Sequence, residues 1–240
     1  MLTPLDWTFA VFVTFLAATV QGTIGFGLGV VSIPILTIID ASLTPIPQLM
    51  VSLPLALATA WRERSNVDTR GLGLITTSRI PGALAGAWIL KAVSEKTIGI
   101  VIGLVVIGAV ASVRAGWTIP VNARTRIGAG LTAGFTGTSA GIGGPPLALL
   151  YRSTGTAIAR STVAAAIGIG VVVNLIVLHG AGAVGSSDYT VAAALIVPTA
   201  LGFVASAFLR HRVDDAVFRS IVLAVSVIAA TILVVRSVWG

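Results

Sequence analysis

Long apolar stretches alternate with short polar breaks along the whole chain. The breaks hold almost all of the charged residues, and the apolar stretches are continuous rather than alternating with a period of two. Continuous runs of this kind predict helices surrounded by apolar material, as membrane-spanning helices are. The predicted apolar segments are 7–21, 24–39, 43–61, 71–90, 97–113, 126–139, 144–151, 158–179, 189–209 and 216–235.

The order of these segments repeats in the second half of the chain. A shift of 116 residues places Gly25 on Gly141, and a shift of 117 places Pro81 on Pro198. Each half has two short segments that meet at glycines, followed by three longer segments, which is the layout of a two-repeat membrane protein. The predicted repeats are 1–117 (hairpin 7–39, helices 43–61, 71–90 and 97–113) and 118–240 (hairpin 126–151, helices 158–179, 189–209 and 216–235).

The short segments of 7–39 allow two topologies. At fifteen and sixteen residues, or about 24 Å each, they fall short of a hydrocarbon core of about 30 Å. The stretch is therefore either one broken span, which gives eight spans with broken first and fifth helices, or a re-entrant hairpin. With Arg79 left aside, the eight-span topology places seven basic residues on each side of the membrane. The hairpin topology places eleven on one side and three on the other.

This charge asymmetry favours the hairpins. We therefore expect an all-α integral membrane protein with two inverted repeats. Each repeat has one broken, re-entrant hairpin and three transmembrane helices, and both termini lie outside.

Composition agrees with a membrane protein. The chain is 56% hydrophobic and only 10% charged, and its mean hydropathy is +1.03. It has no cysteine, which excludes disulfides and thiol catalysis, and its net charge of +7 comes from basic residues between apolar runs. We expect a multi-pass protein of the inner (plasma) membrane, in contact with the lipid bilayer and not with nucleic acid. The sequence leaves homo-oligomerisation open.

Other classes of protein are less compatible with the sequence. No nucleophile–base pair stands out, so we expect no enzyme and no catalytic residues. The first charge is Asp6, so a cleaved signal peptide is not expected. No cofactor and no metal are expected, and the chain has no Walker-type lysine loop for ATP.

Two glycine clusters interrupt the apolar segments, at 25–29 and at 141–146. A helix that begins at such a break presents free amide groups and the positive end of its dipole, which together favour an anion. Two such tips that face each other would form one anion site, although glycines also serve close helix packing. The candidate substrate-binding residues at the tips are Gln21, Gly22, Thr23, Gly25, Phe26, Gly27, Gly29, Thr138, Ser139, Gly141, Gly143 and Gly144.

Arg79 and Asn174 are the other two candidates. Arg79 lies nine residues beyond Arg70 within an apolar segment, about 13 Å along a helix and close to mid-membrane. All eight acidic residues lie in loops or at segment ends, so an anionic substrate is the natural partner of Arg79, unless its side chain reaches the interface. Asn174 either binds substrate or bridges helices.

The two glycine motifs carry a family resemblance. Gly22-Thr-Ile-Gly-Phe-Gly-Leu-Gly29 and Gly137-Thr-Ser-Ala-Gly-Ile-Gly-Gly-Pro-Pro146 resemble those of the sulfite exporter TauE/SafE (TSUP) family, over essentially the whole chain. Leu28 stands where a fuller glycine run has glycine. The resemblance implies transport of sulfite, sulfoacetate, thiosulfate or related organosulfonates, with other organic anions in some members. The family is often described with seven or eight spans.

The expected function is therefore export of a small sulfur-containing anion by alternating access. The same tips would also suit an anion channel, or a transporter of another organic anion.

Overall fold

The computed structural model describes residues 2–25, 27–115, 119–209 and 215–239, apart from the side chains at 95, 113 and 215–219. These residues form ten α-helices and no strand, which confirms the expected all-helical fold. The helices are α1 (Pro4–Ile24), α2 (Leu28–Ile39), α3 (Ile46–Arg62), α4 (Thr69–Ala92), α5 (Glu95–Arg114), α6 (Ala123–Ser139), α7 (Gly144–Leu150), α8 (Thr156–Gly180), α9 (Ser186–Leu209) and α10 (Asp215–Trp239).

Polar caps set several of the helix starts. The Asp68 side chain accepts a hydrogen bond from the Gly71 amide at the start of α4, and the Asn122 side chain accepts one from the Thr125 amide at the start of α6. Such caps replace the intrahelical acceptors that the first amides of a helix lack. At the start of α1, Thr3 and Asp6 form a reciprocal capping box.

Helix α1 is longer than the sequence pattern predicts by three residues at each end, and the capping box sets its earlier start. The helix has 21 residues, or about 32 Å, rather than the fifteen of segment 7–21. It is one of five helical stretches in the described residues that are long and apolar enough to cross a membrane. The others are Ala41–Arg62, which extends α3 at its start, α8, α9, and Ser220–Trp239 of α10. The expectation that the first limb is too short to span was therefore wrong.

Helices α1 and α2 nevertheless fold back on each other. Gly25 and Gly27, in the connection between them, have φ values of +97° and +128°, which only glycine adopts readily. Ala10, early in α1, shares an apolar cluster with Leu36, late in α2. The two residues would be about 39 Å apart in one continuous helix, so α1 and α2 form an antiparallel hairpin.

Helices α6 and α7 form a second hairpin. Its two ends meet at Asp68, whose carboxylate accepts hydrogen bonds from Arg126, early in α6, and from the Tyr151 hydroxyl, directly after α7, at 3.0 Å. Helix α7 has only seven residues, so the returning limb is short. Both ends of this hairpin therefore lie at the end of the molecule where α4 begins.

Asp68 is ionised in this environment. Partial burial acts to raise the pKa of its carboxyl group, but hydrogen bonds from the Gly71 amide and the Tyr151 hydroxyl, with the charge of Arg126, outweigh burial and lower the pKa. The carboxylate is therefore charged at neutral pH and can accept the hydrogen bonds from both ends of the second hairpin.

Each hairpin packs against a helix from the other half of the chain. Helix α6 lies beside α4, where Gly82 and Gly134 bring the two backbones together: a Cβ at either position would lie 2.1 or 2.2 Å from a carbonyl oxygen of the opposite helix. Helix α1 lies beside α9 in the same way, with Gly202 against the Phe15 carbonyl. Small residues at these contacts allow the close approach that is typical of membrane helices.

Candidate functional site

The tips of the two hairpins touch in the middle of the molecule. A Cβ at Gly29, near the start of α2, would lie 2.4 Å from the carbonyl oxygen of Gly141. Gly141 itself has φ +67°, and a Cβ there would lie 2.3 Å from the Ile33 side chain. Both positions therefore require glycine, Gly141 for its backbone conformation as well as for space.

A cavity of about 40 Å³ lies where the tips meet, and we call it the central cavity. At about 10–15 Å³ for each water-sized group, it has room for roughly three, or for one small anion. Both hairpins and helices α3, α4 and α8 contribute to its lining, which comprises Gln21, Gly27, Leu28, Gly29, Val30, Gln48, Leu49, Ser52, Arg79, Gly141, Ile142, Gly143, Gly144, Ile167, Val171 and Asn174.

Arg79 lines the central cavity from the middle of α4 and is only 2% exposed. Its Nε donates to the Asn174 side-chain oxygen at 3.4 Å, Nη1 to the Ala166 carbonyl at 3.1 Å, and Nη2 to the Ala133 carbonyl at 3.3 Å. All three acceptors are neutral. Because a guanidinium has five N–H donors, the contacts among the described residues leave two for a ligand.

Three glycines surround the guanidinium group and make room for it. A Cβ at Gly170 of α8 would lie 2.1 Å from both Cζ and Nη1 of Arg79. A Cβ at Gly143 would lie 2.5 Å from Nη2, and one at Gly137 of α6 would lie 3.1 Å from it. Gly143 therefore also accommodates the cation, a role that the sequence analysis, which considered only its amide, did not predict.

Gln48 of α3 is a polar residue of the cavity that the sequence analysis missed. It is 1% exposed, and its Oε1 accepts a hydrogen bond from the Ser32 hydroxyl at 3.0 Å. Its Nε2 is buried without a hydrogen-bond partner among the described residues. An unpaired buried donor is unfavourable unless a ligand or water accepts from it. The one available signal was an amide inside the apolar segment 43–61.

Fewer backbone amides are available at the tips than the sequence analysis assumed. The Leu28 amide at the start of α2 already donates to the Gln21 side chain at 3.1 Å. In the second hairpin, Pro145 and Pro146 occupy the first turn of α7 and have no N–H to offer. Arg79, the side-chain amide of Gln48 and the first-turn amides of Gly29 and Val30, which have no acceptor among the described residues, are therefore the donors left at the cavity.

The predicted site residues separate into two groups. Those that line the central cavity are Gln21, Gly27, Gly29, Arg79, Gly141, Gly143, Gly144 and Asn174. Gly22, Thr23, Gly25, Thr138 and Ser139 are not among its lining residues. Phe26 lies outside the described residues.

The second group has structural surroundings of its own. Gly22 packs against Ser206, and its carbonyl accepts a hydrogen bond from Arg62 at 2.9 Å. Thr23 and Gly25 line a larger cavity of about 270 Å³, which also includes Arg152 and Arg160.

The Ser139 hydroxyl donates to the Phe135 carbonyl at 2.7 Å, while the buried Thr138 hydroxyl has no partner among the described residues.

The charge of Arg79 is not neutralised within the described part of the chain. No aspartate or glutamate lines the central cavity, and every acidic residue that the structure describes lies in a loop or in the first turn of a helix. A buried cation among neutral acceptors, in one cavity with an unpaired amide donor, is suited to bind a small anion.

Comparison with known proteins agrees with this geometry. No match was found among curated proteins or among solved structures. The family model described as "Sulfite exporter TauE/SafE" matches residues 10–233, nearly the whole chain. The resemblance seen in the glycine motifs is thereby confirmed, and the chain belongs to the sulfite exporter TauE/SafE family, a family of membrane transporters for sulfite and related anions.

Proposed function

We propose that this protein is a secondary transporter of the inner membrane that exports a small sulfur-containing anion by alternating access. Sulfite, sulfoacetate, thiosulfate and related organosulfonates are the candidate substrates. The observation that carries the proposal is the buried, uncompensated charge of Arg79 at a cavity where both hairpin tips meet. Family membership supports the same class of substrate.

The energy of a buried arginine explains why an anion fits this site. An arginine at the centre of a membrane costs about 2.5–3.5 kcal/mol even on insertion scales. Its three hydrogen bonds to neutral oxygens satisfy some of the donors without cancelling the charge. At an effective dielectric constant of about 20, an anion 4 Å away contributes an attraction of about 4 kcal/mol. The Nε2 of Gln48 adds a further donor.

Alternating access requires two related halves, and the helix contacts support an inverted pair. Helix α1 packs parallel to α9, because Phe15 lies beside Gly202 and Gly22 beside Ser206. Helix α6 packs parallel to α4, because Gly130 lies beside Ile75 and Thr138 beside Gly86. Each first limb thus lies against the fourth helix of the opposite repeat. Helix α8 also runs parallel to α4, because Arg79 contacts Ala166 and Lys91 contacts the Ala181 carbonyl.

The direction of α9 then follows from its short connection to α8. Helix α9 runs opposite to α8 and hence to α4, so α1 runs opposite to α6. This is the relation between inverted repeats whose broken helices meet at a substrate site.

The distribution of basic residues supports an orientation. Arg126, Arg160 and the start of α4 lie at the same end of the molecule, since Arg126 contacts Asp68 and Arg160 contacts Glu63. Lys91 lies at the other end. The end rich in arginine is the cytoplasmic one by the positive-inside rule.

Arg210 and Arg212, which the sequence analysis assigned to this side, lie outside the described residues, and the Arg219 side chain is not described.

Export then needs no ATP. A negative charge that leaves a negative-inside cell gains about 2.3 kcal/mol per 100 mV. The small volume of the central cavity supports a carrier rather than an open channel. An anion channel would instead show conductance that does not saturate at low substrate concentration.

The test is sulfite efflux from loaded proteoliposomes that contain wild-type protein or the Arg79→Ala variant. We expect saturable efflux from the wild type and a loss of at least about tenfold in the variant, because the counter-charge of the anion is removed. Arg70→Ala is the matched control, since Arg70 is an exposed arginine on the same helix outside the cavity. Unchanged efflux in Arg79→Ala would remove Arg79 from the site.

A further inference from the structure

The central cavity carries a single charge among the residues described. Among the described residues that line it, Arg79 alone is ionisable. The other charged or titratable residues of α1, α3, α4, α6 and α8, and the one directly after α7, lie toward helix ends. They are Asp6 of α1, Arg62 of α3, Arg70 and Lys91 of α4, Arg124 and Arg126 of α6, Tyr151 after α7, and Arg160 and His179 of α8.

The neutral groups around the cavity do not add a second charge. Gln21, Gln48 and Asn174 are amides, and Ser52 is a hydroxyl whose proton is donated to the Leu49 carbonyl at 2.8 Å. These groups can orient an anion and satisfy its oxygens. The net formal charge that a ligand meets among the described residues is therefore that of one guanidinium, to which the start of α2 adds only the partial positive charge of a helix dipole.

The charge of the ligand decides how well it fits such a site. The penalty for removing an ion from water grows with the square of its charge, whereas its attraction to one fixed cation grows only in proportion to the charge. A dianion therefore meets a fourfold penalty for a twofold attraction. It also leaves the loaded cavity negative, whereas a monoanion leaves it neutral.

We propose that the central cavity binds its sulfur anion as a monoanion, either hydrogensulfite or a singly charged sulfonate, and discriminates against dianions. Of the candidate substrates named above, thiosulfate and sulfoacetate are dianions near neutral pH, so this inference selects hydrogensulfite and the singly charged sulfonates over them. This inference rests on the proposed function and specifies the substrate of the same site. Sulfite takes up a proton close to neutral pH, so both of its forms are present in a cell. Sulfate remains a dianion near neutral pH, although it has a similar size and similar oxygens.

Equilibrium binding to the purified wild-type protein tests this inference with three probes. The probes are sulfite, methanesulfonate and sulfate, each titrated by calorimetry under oxygen-free conditions one pH unit below and one pH unit above neutral. Methanesulfonate is the matched control because it is a monoanion at both pH values. Any titration of the protein itself would change methanesulfonate binding, whereas titration of the ligand changes only sulfite binding.

We expect the affinity for total sulfite to be about tenfold higher at the lower pH, because the monoanion is then nearly all of the sulfite rather than about a tenth. Methanesulfonate affinity should be the same at both pH values, and sulfate should bind at least about tenfold more weakly than methanesulfonate. Sulfite binding that strengthens as the pH rises, or sulfate binding equal to that of methanesulfonate, would overturn the inference and leave the proposed function standing. An equal pH dependence for sulfite and methanesulfonate would also overturn it. Failure of all three anions to bind would overturn the proposed function as well.

Discussion

The contact between Gly170 and Arg79 gives the most specific prediction for the site. A Cβ at Gly170 would lie 2.1 Å from Cζ and Nη1 of Arg79 and 2.5 Å from Nη2. Carbon contacts are comfortable only beyond about 3.5 Å, so Gly170→Ala displaces the guanidinium by more than about 1 Å. The variant moves the cation while the arginine and its charge remain.

The expected loss of affinity follows from this displacement. Moving two charges from about 4 Å to about 5 Å apart, at an effective dielectric constant of about 20, weakens their attraction by about 0.8 kcal/mol. A charge-assisted hydrogen bond that is no longer aligned removes about 1.5–3 kcal/mol more. The sum of at least about 2 kcal/mol corresponds to a dissociation constant for sulfite at least about thirtyfold higher.

Stability should change much less than binding. Displacement of the guanidinium strains its hydrogen bonds to the Ala166 and Ala133 carbonyls, but alanine is better than glycine within a helix by about 0.8–1.0 kcal/mol. The variant should therefore fold, with a melting temperature within a few degrees of the wild type. Folding and binding can thus be measured separately on the same sample.

The assay is sulfite titration of purified Gly170→Ala by calorimetry, with Gly73→Ala as the matched control. Gly73 lies on the helix that carries Arg79, and a Cβ there would have no atom within 4 Å. The control should bind sulfite as the wild type does. A folded Gly170→Ala protein with wild-type affinity would refute the placement of the ligand at Arg79.

Substitutions at three further positions, Gln48, Gly134 and Asp68, test other features of the structure. Gln48→Leu removes the unpaired buried donor and should weaken sulfite binding about tenfold. Gln48→Glu should abolish sulfite binding, because it places a carboxylate in the same cavity as the cation. Both affinities are measured by the same calorimetric titration. Gly134→Leu should separate α4 from α6 and lower stability by about 3 kcal/mol or more in thermal unfolding, while Gly128→Leu, on an open face of α6, should not. Asp68→Asn removes the charged partner of Arg126 and should lower stability at neutral pH. Folding lowers the pKa of Asp68, so the carboxylate adds to the free energy of unfolding above about pH 4, and this addition is lost as the pH falls through the folded pKa. The free energy of unfolding of the variant should therefore fall less steeply on acidification than that of the wild type. Wild-type acid dependence in Asp68→Asn would contradict this.

Much of the helix layout could be predicted from the sequence, because apolar runs and polar caps are local features. Segment 158–179 corresponds to α8, Thr156–Gly180, and segment 189–209 to α9, Ser186–Leu209. The fold-back of α1 and α2 also followed from the distribution of arginines. The early start of α1 was missed because its first turn depends on the Thr3 cap rather than on hydrophobicity, and its end was missed because the helix continues through Gly22 to Ile24.

The candidate site was predictable only in part. Arg79 and the glycines at 141–144 stood out as a charge and a break within apolar surroundings, and these features are visible in the sequence. Gly170 did not stand out, because its importance comes from a contact with Arg79 that only the folded chain creates. Gln48 likewise depends on the packing of α3 against the hairpin tips, which no local pattern encodes. The division into two inverted repeats stays a prediction.

Crystallography can locate an anion bound in the central cavity directly. Selenite has the charge and pyramidal shape of sulfite, its selenium scatters anomalously, and the chain has no cysteine with which it could react. Crystals soaked with selenite should show one anomalous peak inside the central cavity, within hydrogen-bonding distance of the Arg79 guanidinium and the Gln48 amide. An anomalous peak only elsewhere, or an empty central cavity in crystals whose protein binds selenite in solution, would contradict the account.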